Sequence, residues 1–116
     1  KSGRALWYAP DQDYGRKHSV FAPFFGQPAA TIRATSRLAK ATGAKVLMLN
    51  VFRDPHRAHW TLTYDPVLAD FPSGDDVADA SRINQLLETL IRSHPAQYLW
   101  VHRRFKTRPD GEPPVY

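Results

Sequence analysis

The sequence contains no cysteine. This absence excludes a disulfide framework, a thiolate nucleophile and any metal or iron–sulfur site with cysteine ligands. Long apolar runs are also lacking: the longest uninterrupted aliphatic stretch is residues 46–49 (Val-Leu-Met-Leu), far below the roughly 18 residues of a membrane-spanning helix. No secretory-signal pattern opens the chain. The glycine motifs of P-loops, dinucleotide-binding folds and nucleophile elbows are absent too, which excludes those routes to nucleotide binding and serine catalysis.

What is present is an ordinary globular composition with unevenly distributed charge. Of 116 residues, 42% are hydrophobic and 23% are charged, which argues against disorder and fits one domain at most. The 16 basic residues exceed the 11 acidic ones, giving a formal charge of +5. Residues 19–53 contain five basic residues and no acidic one, whereas residues 54–100 contain three basic and seven acidic residues. This distribution favours a local anion-binding face over a uniformly basic surface.

Periodic apolar positions predict two main helices. Residues 29–42 form the first, with Pro28 in its first turn and Gly43 as its left-handed stop. Residues 76–93 form the second, where Ser73 and Asp76 resemble a capping box. Residues 96–105 are compatible with a helix or a strand, and the preceding Pro95 favours a short helix.

Three strands are predicted between and around these helices, at residues 5–9, 45–52 and 58–65. The first is read as buried and begins close to Lys1, which indicates a fragment of a longer protein. The second is continuously apolar, as in a strand covered on both faces, and the third alternates as a half-exposed strand does. Residues 20–25 are interrupted by Pro23 and are predicted as an apolar loop, and residues 106–116 as an irregular, proline-rich tail. The strand–helix–strand order indicates an α/β fold with a mixed sheet and flanking helices.

Two polar clusters stand out as candidate binding sites. The first follows the predicted strand 5–9, at the kind of position where open α/β sheets bind ligands; its candidate residues are Asp11, Gln12, Asp13, Arg16 and Lys17. The second comes after two aromatic residues and suits phosphate binding through charge-assisted contacts; its candidates are His102, Arg103, Arg104 and Arg108. The alternatives are a solvated turn for the first cluster and a solvated basic rim for the second.

Metal binding is not expected. His56 and His59 lie three positions apart beside Asp54, but no third histidine is near them in sequence, and zinc needs three or four convergent ligands. Two function classes therefore remain: part of an enzyme that handles a phosphorylated substrate, and a basic, non-catalytic α/β module that binds nucleic acid or another polyanion. The lack of an RNP-type aromatic pattern and the acidic stretch through the second main helix weigh against the nucleic-acid reading.

Four sequence blocks resemble the late acyltransferases of lipid A biosynthesis, and more narrowly their lauroyl acyltransferase branch. The blocks cover most of the chain in order: residues 7–17 (Trp-Tyr-Ala-Pro-Asp-Gln-Asp-Tyr-Gly-Arg-Lys), 20–26 (Val-Phe-Ala-Pro-Phe-Phe-Gly), 34–39 (Ala-Thr-Ser-Arg-Leu-Ala) and 97–109 (Gln-Tyr-Leu-Trp-Val-His-Arg-Arg-Phe-Lys-Thr-Arg-Pro). The resemblance implies a glycerolipid-acyltransferase-like α/β fold and transfer of an acyl chain from acyl carrier protein to a Kdo-bearing lipid A precursor. It also implies an enzyme at the cytoplasmic face of the Gram-negative inner membrane, without a cofactor.

The resemblance further implies a His-x-x-x-x-Asp/Glu motif whose histidine acts as general base. This chain departs from that pattern. Five positions after its histidines stand Pro23, Thr61, Tyr64, Leu99 and Thr107, none of them acidic. Residues 1–116 are therefore expected to be the C-terminal segment of a single acyltransferase domain, inactive by itself, with the catalytic pair and the membrane anchor upstream.

The resemblance also assigns roles to the two clusters. Asp11 and Asp13 are expected to orient cationic side chains or the acceptor hydroxyl region. The cations are expected to meet lipid phosphates, Kdo carboxylates or the acidic carrier protein; they are Arg16, Lys17, Arg103, Arg104 and Arg108. Residues 46–49 are expected on the acyl-chain side. The phenylalanines of residues 21–25 are expected either near the acyl chain or bilayer, or in the core.

Overall fold

The computed structural model describes residues 3–116 and consists of two β-hairpins and two α-helices. Short 3-10 turns at Arg16–His18 and Pro95–Gln97 complete the regular structure of the described residues. The main elements follow one another as β1 (Ser19–Phe24), β2 (Gln27–Ile32), α1 (Ala34–Thr42), β3 (Leu49–Arg53), β4 (Trp60–Tyr64) and α2 (Asp76–Ser93).

The first hairpin replaces the predicted loop at residues 20–25 and the predicted start of the first helix. β1 and β2 pair antiparallel, and Pro23 lies opposite Pro28 in the register. In a two-stranded sheet both strands are edges, so a proline can sit where its missing N–H would point away from the partner. The turn between the strands consists of Phe25 and Gly26, both with positive φ (48° and 76°), as in the tight turns that match the twist of a hairpin.

The second hairpin is smaller and more exposed than the sequence predicts. β3 pairs antiparallel with β4 from Leu49 opposite Tyr64 to Arg53 opposite Trp60. All five residues of β4 are exposed, and Asn50 is the one buried residue of β3. The prediction of a strand at residues 45–52 covered on both faces is therefore wrong in extent and in burial. Two separate antiparallel sheets stand where a mixed sheet with a βαβ crossover was predicted, because each strand pairs with its immediate neighbour in the chain.

The helices are closer to their predicted positions. α1 begins at Ala34 rather than at residue 29 and ends at Gly43, whose left-handed conformation (φ 68°) confirms the predicted stop. α2 has the predicted bounds, and the Glu88–Arg92 pair lies 3.8 Å apart. Its cap differs from the prediction: the Asp75 carboxylate, not the Ser73 hydroxyl, accepts hydrogen bonds from the first turn of α2.

The core lies between α2 and the first hairpin. Phe24, Ala29 and Ile91 form its buried centre, and partly buried side chains, among them Leu87 and Phe105, pack around it. A polar contact crosses the same interface: the fully buried Asn84 of α2 donates hydrogen bonds from its Nδ2 to the Pro23 carbonyl (2.8 Å) and the Thr31 hydroxyl (3.0 Å). These bonds fix the rotation of α2 against the hairpin, because a buried amide without partners is costly.

Three further segments carry no extended regular structure. Residues 5–9 are not a strand, and the side chains of Leu6 and Trp7 are exposed, so the predicted buried strand is wrong. Residues 96–105 form turns after the 3-10 turn at Pro95–Gln97 instead of a helix. Residues 106–116 contain neither helix nor strand. Across residues 3–116, none of the helices combines the length and the apolar character needed to span a bilayer.

Candidate functional site

Asp13 brings the two polar clusters together although they are about 90 residues apart in sequence. Its side chain is 4% exposed. The carboxylate accepts hydrogen bonds from the Thr107 N–H and the Thr107 hydroxyl, each at 2.9 Å, and from the Gly15 N–H at 2.9 Å. The Asp13 N–H donates to His102 Nε2 at 3.0 Å. The segments around residues 10–17 and 102–108 therefore form one surface.

Arg16 and Arg108 extend this connection toward the C-terminal tail. The guanidinium of Arg16 donates to the Arg108 carbonyl and lies 2.9 Å from the exposed Asp110 carboxylate. Arg108 is buried; its guanidinium donates to the Pro28 carbonyl and to Glu112, both at 2.8 Å. Arg108 thus links the tail to β2: its two terminal nitrogens donate within the chain, whereas its buried Nε has no partner among residues 3–116. The resemblance expects a substrate anion at this guanidinium.

Arg104 also differs from its expected role as a solvent-facing anion contact. It is 2% exposed, and its guanidinium donates to the Ala30 carbonyl (2.7 Å) and the Thr31 hydroxyl (2.8 Å) of β2. Burial lowers the pKa of the Arg104 guanidinium, while the neighbouring Tyr98 and Asp13 oppose this shift. The buried guanidinium of Arg104 is thus held by an uncharged carbonyl and an uncharged hydroxyl. Through these bonds Arg104 joins the second cluster to β2.

The remaining predicted residues lie at or near the surface. Gln12, Arg16, Lys17 and Arg103 are exposed, and Asp11 is half-buried. Among the exposed cations of the two clusters, Arg16 pairs with Asp110, whereas Lys17 and Arg103 form no ion pair with any carboxylate of residues 3–116. They are therefore the cationic side chains of the predicted set that are free to meet an anionic ligand.

A large, mainly apolar groove opens beside this surface. Its volume is about 1070 Å³, and it runs between the segment 3–11, α1, residues 43–52 and α2. Residues 46–49 lie along it, where the resemblance expects an acyl-chain side. Asp11 also lines the groove and lies two residues before Asp13, so the groove adjoins the cationic surface.

Two tyrosines at the groove are functional candidates that the sequence patterns did not single out. The Tyr8 hydroxyl donates to the Thr35 hydroxyl across the groove. The Tyr98 hydroxyl is buried and has no hydrogen-bond partner among residues 3–116. Burial raises the pKa of the Tyr98 phenol, and the negative charge of Asp11 adds to the rise. The signal available in the sequence was their position inside the two family-like blocks, 7–17 and 97–109.

The arrangement combines features that an amphipathic anionic ligand requires. The groove offers apolar contact, and a few polar groups meet at its end, as in many small-molecule sites. Lys17 and Arg103 supply positive charge at the adjoining surface. Within the described part of the chain, no three histidine or acidic side chains come close enough to hold a metal ion.

Comparisons with known proteins bear directly on this arrangement. A family model described as bacterial lipid A biosynthesis acyltransferase matches residues 1–107. The chain is 44% identical to a lipid A biosynthesis palmitoleoyltransferase and 41% identical to a lipid A biosynthesis lauroyltransferase, both from Escherichia coli K12. Each alignment covers the whole chain but 38% of the relative's length. A myristoyltransferase of the same organism is 37% identical over 91% of the chain and 33% of its own length.

These relatives differ in the acyl chain that their names specify, so the likeness extends across the family and is not confined to the lauroyl branch. The chain spans 33–38% of the length of each of them. The family model nevertheless covers both polar clusters almost completely, together with all the helices and strands between them. The chain therefore belongs to the bacterial lipid A biosynthesis acyltransferase family.

Proposed function

We propose that this chain is the C-terminal, substrate-side part of an acyltransferase of lipid A biosynthesis. The whole enzyme transfers a fatty acyl chain from acyl carrier protein to a hydroxyl of a Kdo-bearing lipid A precursor at the cytoplasmic face of the bacterial inner membrane. The observation that carries the proposal is the family match over residues 1–107. The two-hairpin structure is compatible with part of a glycerolipid-acyltransferase-like domain, which we propose as the fold of the whole enzyme.

The geometry suggests how this part of the enzyme contributes. The apolar groove suits an acyl chain, because burial of methylene groups is favourable and needs no specific donor or acceptor. Arg103 and Lys17 suit the phosphates or Kdo carboxylates of the acceptor, since charge-assisted hydrogen bonds to such groups are short and strong. Asp11 lines the groove and belongs to the first polar cluster, so it connects the two regions.

The chemical step itself requires residues that this sequence lacks. Deprotonation of the acceptor hydroxyl needs a positioned general base, and no histidine here is followed at the fifth position by an acid. We therefore expect the 116-residue chain alone to show no acyl transfer. We propose lauroyl as the donor chain on the narrower resemblance of blocks 7–17 and 97–109.

A chimera tests the proposal. This chain replaces the aligned segment of the E. coli palmitoleoyltransferase, and purified chimera is assayed with lauroyl-, myristoyl- and palmitoleoyl-acyl carrier protein and the Kdo-bearing precursor. We expect transfer, fastest with the lauroyl donor. A chimera that melts cooperatively but acylates no precursor, under conditions where its parent does, contradicts the proposal. Preference for another donor contradicts the lauroyl assignment alone.

Two arginine variants of the chimera test the cationic surface. Arg103→Gln should raise the KM for the precursor about tenfold, the value of one charge-assisted contact. The control is Arg57→Gln, because Arg57 is an exposed arginine paired only with Asp54 at 3.0 Å. Equal kinetics for the two variants remove Arg103 from the substrate site.

A further inference from the structure

Residues 99–101 form a surface loop with three consecutive exposed apolar side chains. Leu99 is 66%, Trp100 57% and Val101 84% exposed. Single exposed apolar residues are common on protein surfaces, but a contiguous group of them marks a contact surface. The loop directly follows Tyr98, so it lies outside the groove and next to the cationic cluster.

The loop is held in a fixed shape although its side chains face solvent. The Trp100 indole N–H donates to the Pro95 carbonyl at 2.7 Å, and the Trp100 N–H donates to the Tyr98 carbonyl at 2.9 Å. The His102 N–H closes the turn on the Leu99 carbonyl at 3.0 Å. A loop ordered in advance loses less conformational entropy when it binds.

The turn between β1 and β2 places a second aromatic side chain, Phe25, beside Trp100. The ring centroid of Phe25 lies 6.3 Å from that of Trp100, and the Arg92 guanidinium lies over the Phe25 ring, 4.9 Å from its centroid. Phe25 adopts φ 48°, a left-handed conformation that a bulky residue rarely takes. This conformation belongs to the two-residue turn between β1 and β2, which fixes the position of the Phe25 ring beside Trp100.

Positive charge surrounds this aromatic patch, defined as Phe25 with residues 99–101. Arg92 is 68% exposed in its side chain and has one acidic neighbour, Glu88, at 3.8 Å. Arg103 follows two residues after Val101, and its guanidinium lies 5.9 Å from the ring of Tyr116, itself exposed. Indole rings favour the boundary between water and hydrocarbon, and arginines beside it favour anionic headgroups.

We propose that the aromatic patch docks on an anionic phospholipid surface. In this arrangement residues 99–101 enter the boundary between headgroups and acyl chains, while Arg92 and Arg103 contact lipid phosphates. The combination of an inserted apolar tip with flanking cations is the chemistry of peripheral membrane binding. The aliphatic side chains of Leu99 and Val101 beside Trp100 favour a lipid surface over a nucleic acid, because bases stack on aromatic rings and phosphates need cations alone. The proposal shares Arg103 with the proposed acceptor site, and vesicles that contain no Kdo-bearing precursor test it separately from acyl transfer.

Vesicle co-sedimentation with the 116-residue chain tests this docking. Vesicles of phosphatidylcholine alone are compared with vesicles that contain phosphatidylglycerol. We expect binding to the anionic vesicles that weakens as salt is raised. Leu99→Ser should lower the partition coefficient about tenfold, and Arg103→Gln about fivefold. Val101→Ser should lower the partition coefficient as well. Because Val101 is the most exposed residue of the loop, this substitution should not change the stability of the fold.

The matched control is Leu62→Ser on β4, since Leu62 is an exposed leucine (55%) on the other hairpin. It should leave the partition coefficient unchanged. Equal losses in the Leu99 and Leu62 variants overturn the assignment to residues 99–101. Absence of binding to anionic vesicles, or equal binding to neutral ones, overturns the proposal of an anionic lipid surface and points to a protein partner for the patch.

Discussion

Replacing Asp13 with alanine should loosen the contact between the segments 10–17 and 102–108. The variant leaves Gly15 and Thr107 with backbone N–H groups that have lost their acceptor, and it removes the partner of the Thr107 hydroxyl. Hydrogen bonds to a charged group contribute about 1.5–3 kcal/mol each, and their losses are not additive within one cluster. We therefore expect the free energy of unfolding to fall by about 3–5 kcal/mol, a large share of the usual stability of a domain.

Urea unfolding followed by tryptophan fluorescence measures this loss. Thr107→Val removes only the hydroxyl donor and should lower the free energy of unfolding by about 1.5 kcal/mol. Asp110→Ala is the control, because Asp110 is an aspartate of the same surface, 2.9 Å from the Arg16 guanidinium, but is 97% exposed in its side chain; its effect should stay within about 0.5 kcal/mol. Equal unfolding midpoints for the Asp13 and Asp110 variants would refute the assignment of Asp13 as the residue that joins the two clusters.

Two neighbouring features give further predictions. Arg104→Met should lower the free energy of unfolding by about 2–3 kcal/mol, because the Ala30 carbonyl and the Thr31 hydroxyl each lose the guanidinium donor in the core. Arg103→Met should leave the free energy of unfolding in urea nearly unchanged, and similar losses for both variants would contradict the assigned difference in burial. The Tyr98 phenol has a raised pKa in the folded state, so the unfolded chain loses this proton first and stability should fall as pH rises above about 10. Tyr98→Phe should reduce that fall in thermal melts recorded between pH 9 and 11, and an unchanged pH dependence would contradict the assigned burial of this hydroxyl.

Local sequence was sufficient where a segment's structure depends on its own residues. α2 has the predicted bounds, because its apolar positions repeat with helical spacing and Pro95 prevents continuation. The end of α1 at Gly43 follows from the freedom of glycine to adopt a positive φ. Family membership likewise follows from short blocks of sequence, and the comparison over residues 1–107 confirms it.

Local sequence failed where a partner elsewhere decides the structure. Pro23 argued against a strand, yet residues 19–24 pair with residues 27–32. The proline is tolerated because, among residues 3–116, no third strand pairs with this hairpin and needs the missing N–H. The apolar residues 5–9 resemble a buried strand, but no neighbouring strand pairs with them among residues 3–116. Strand formation needs a partner, and apolar composition alone does not supply one.

The sequence by itself determined the family, the long helix and the presence of two charged clusters. Only the tertiary structure decided which charges are free. Arg103 and Arg104 are adjacent and chemically identical, yet one is exposed and the other donates to β2, more than 70 residues away. Asp13 joins Thr107 across a similar separation. Burial and hydrogen bonding depend on such long-range contacts, and no local pattern records which of two neighbouring side chains will face the core.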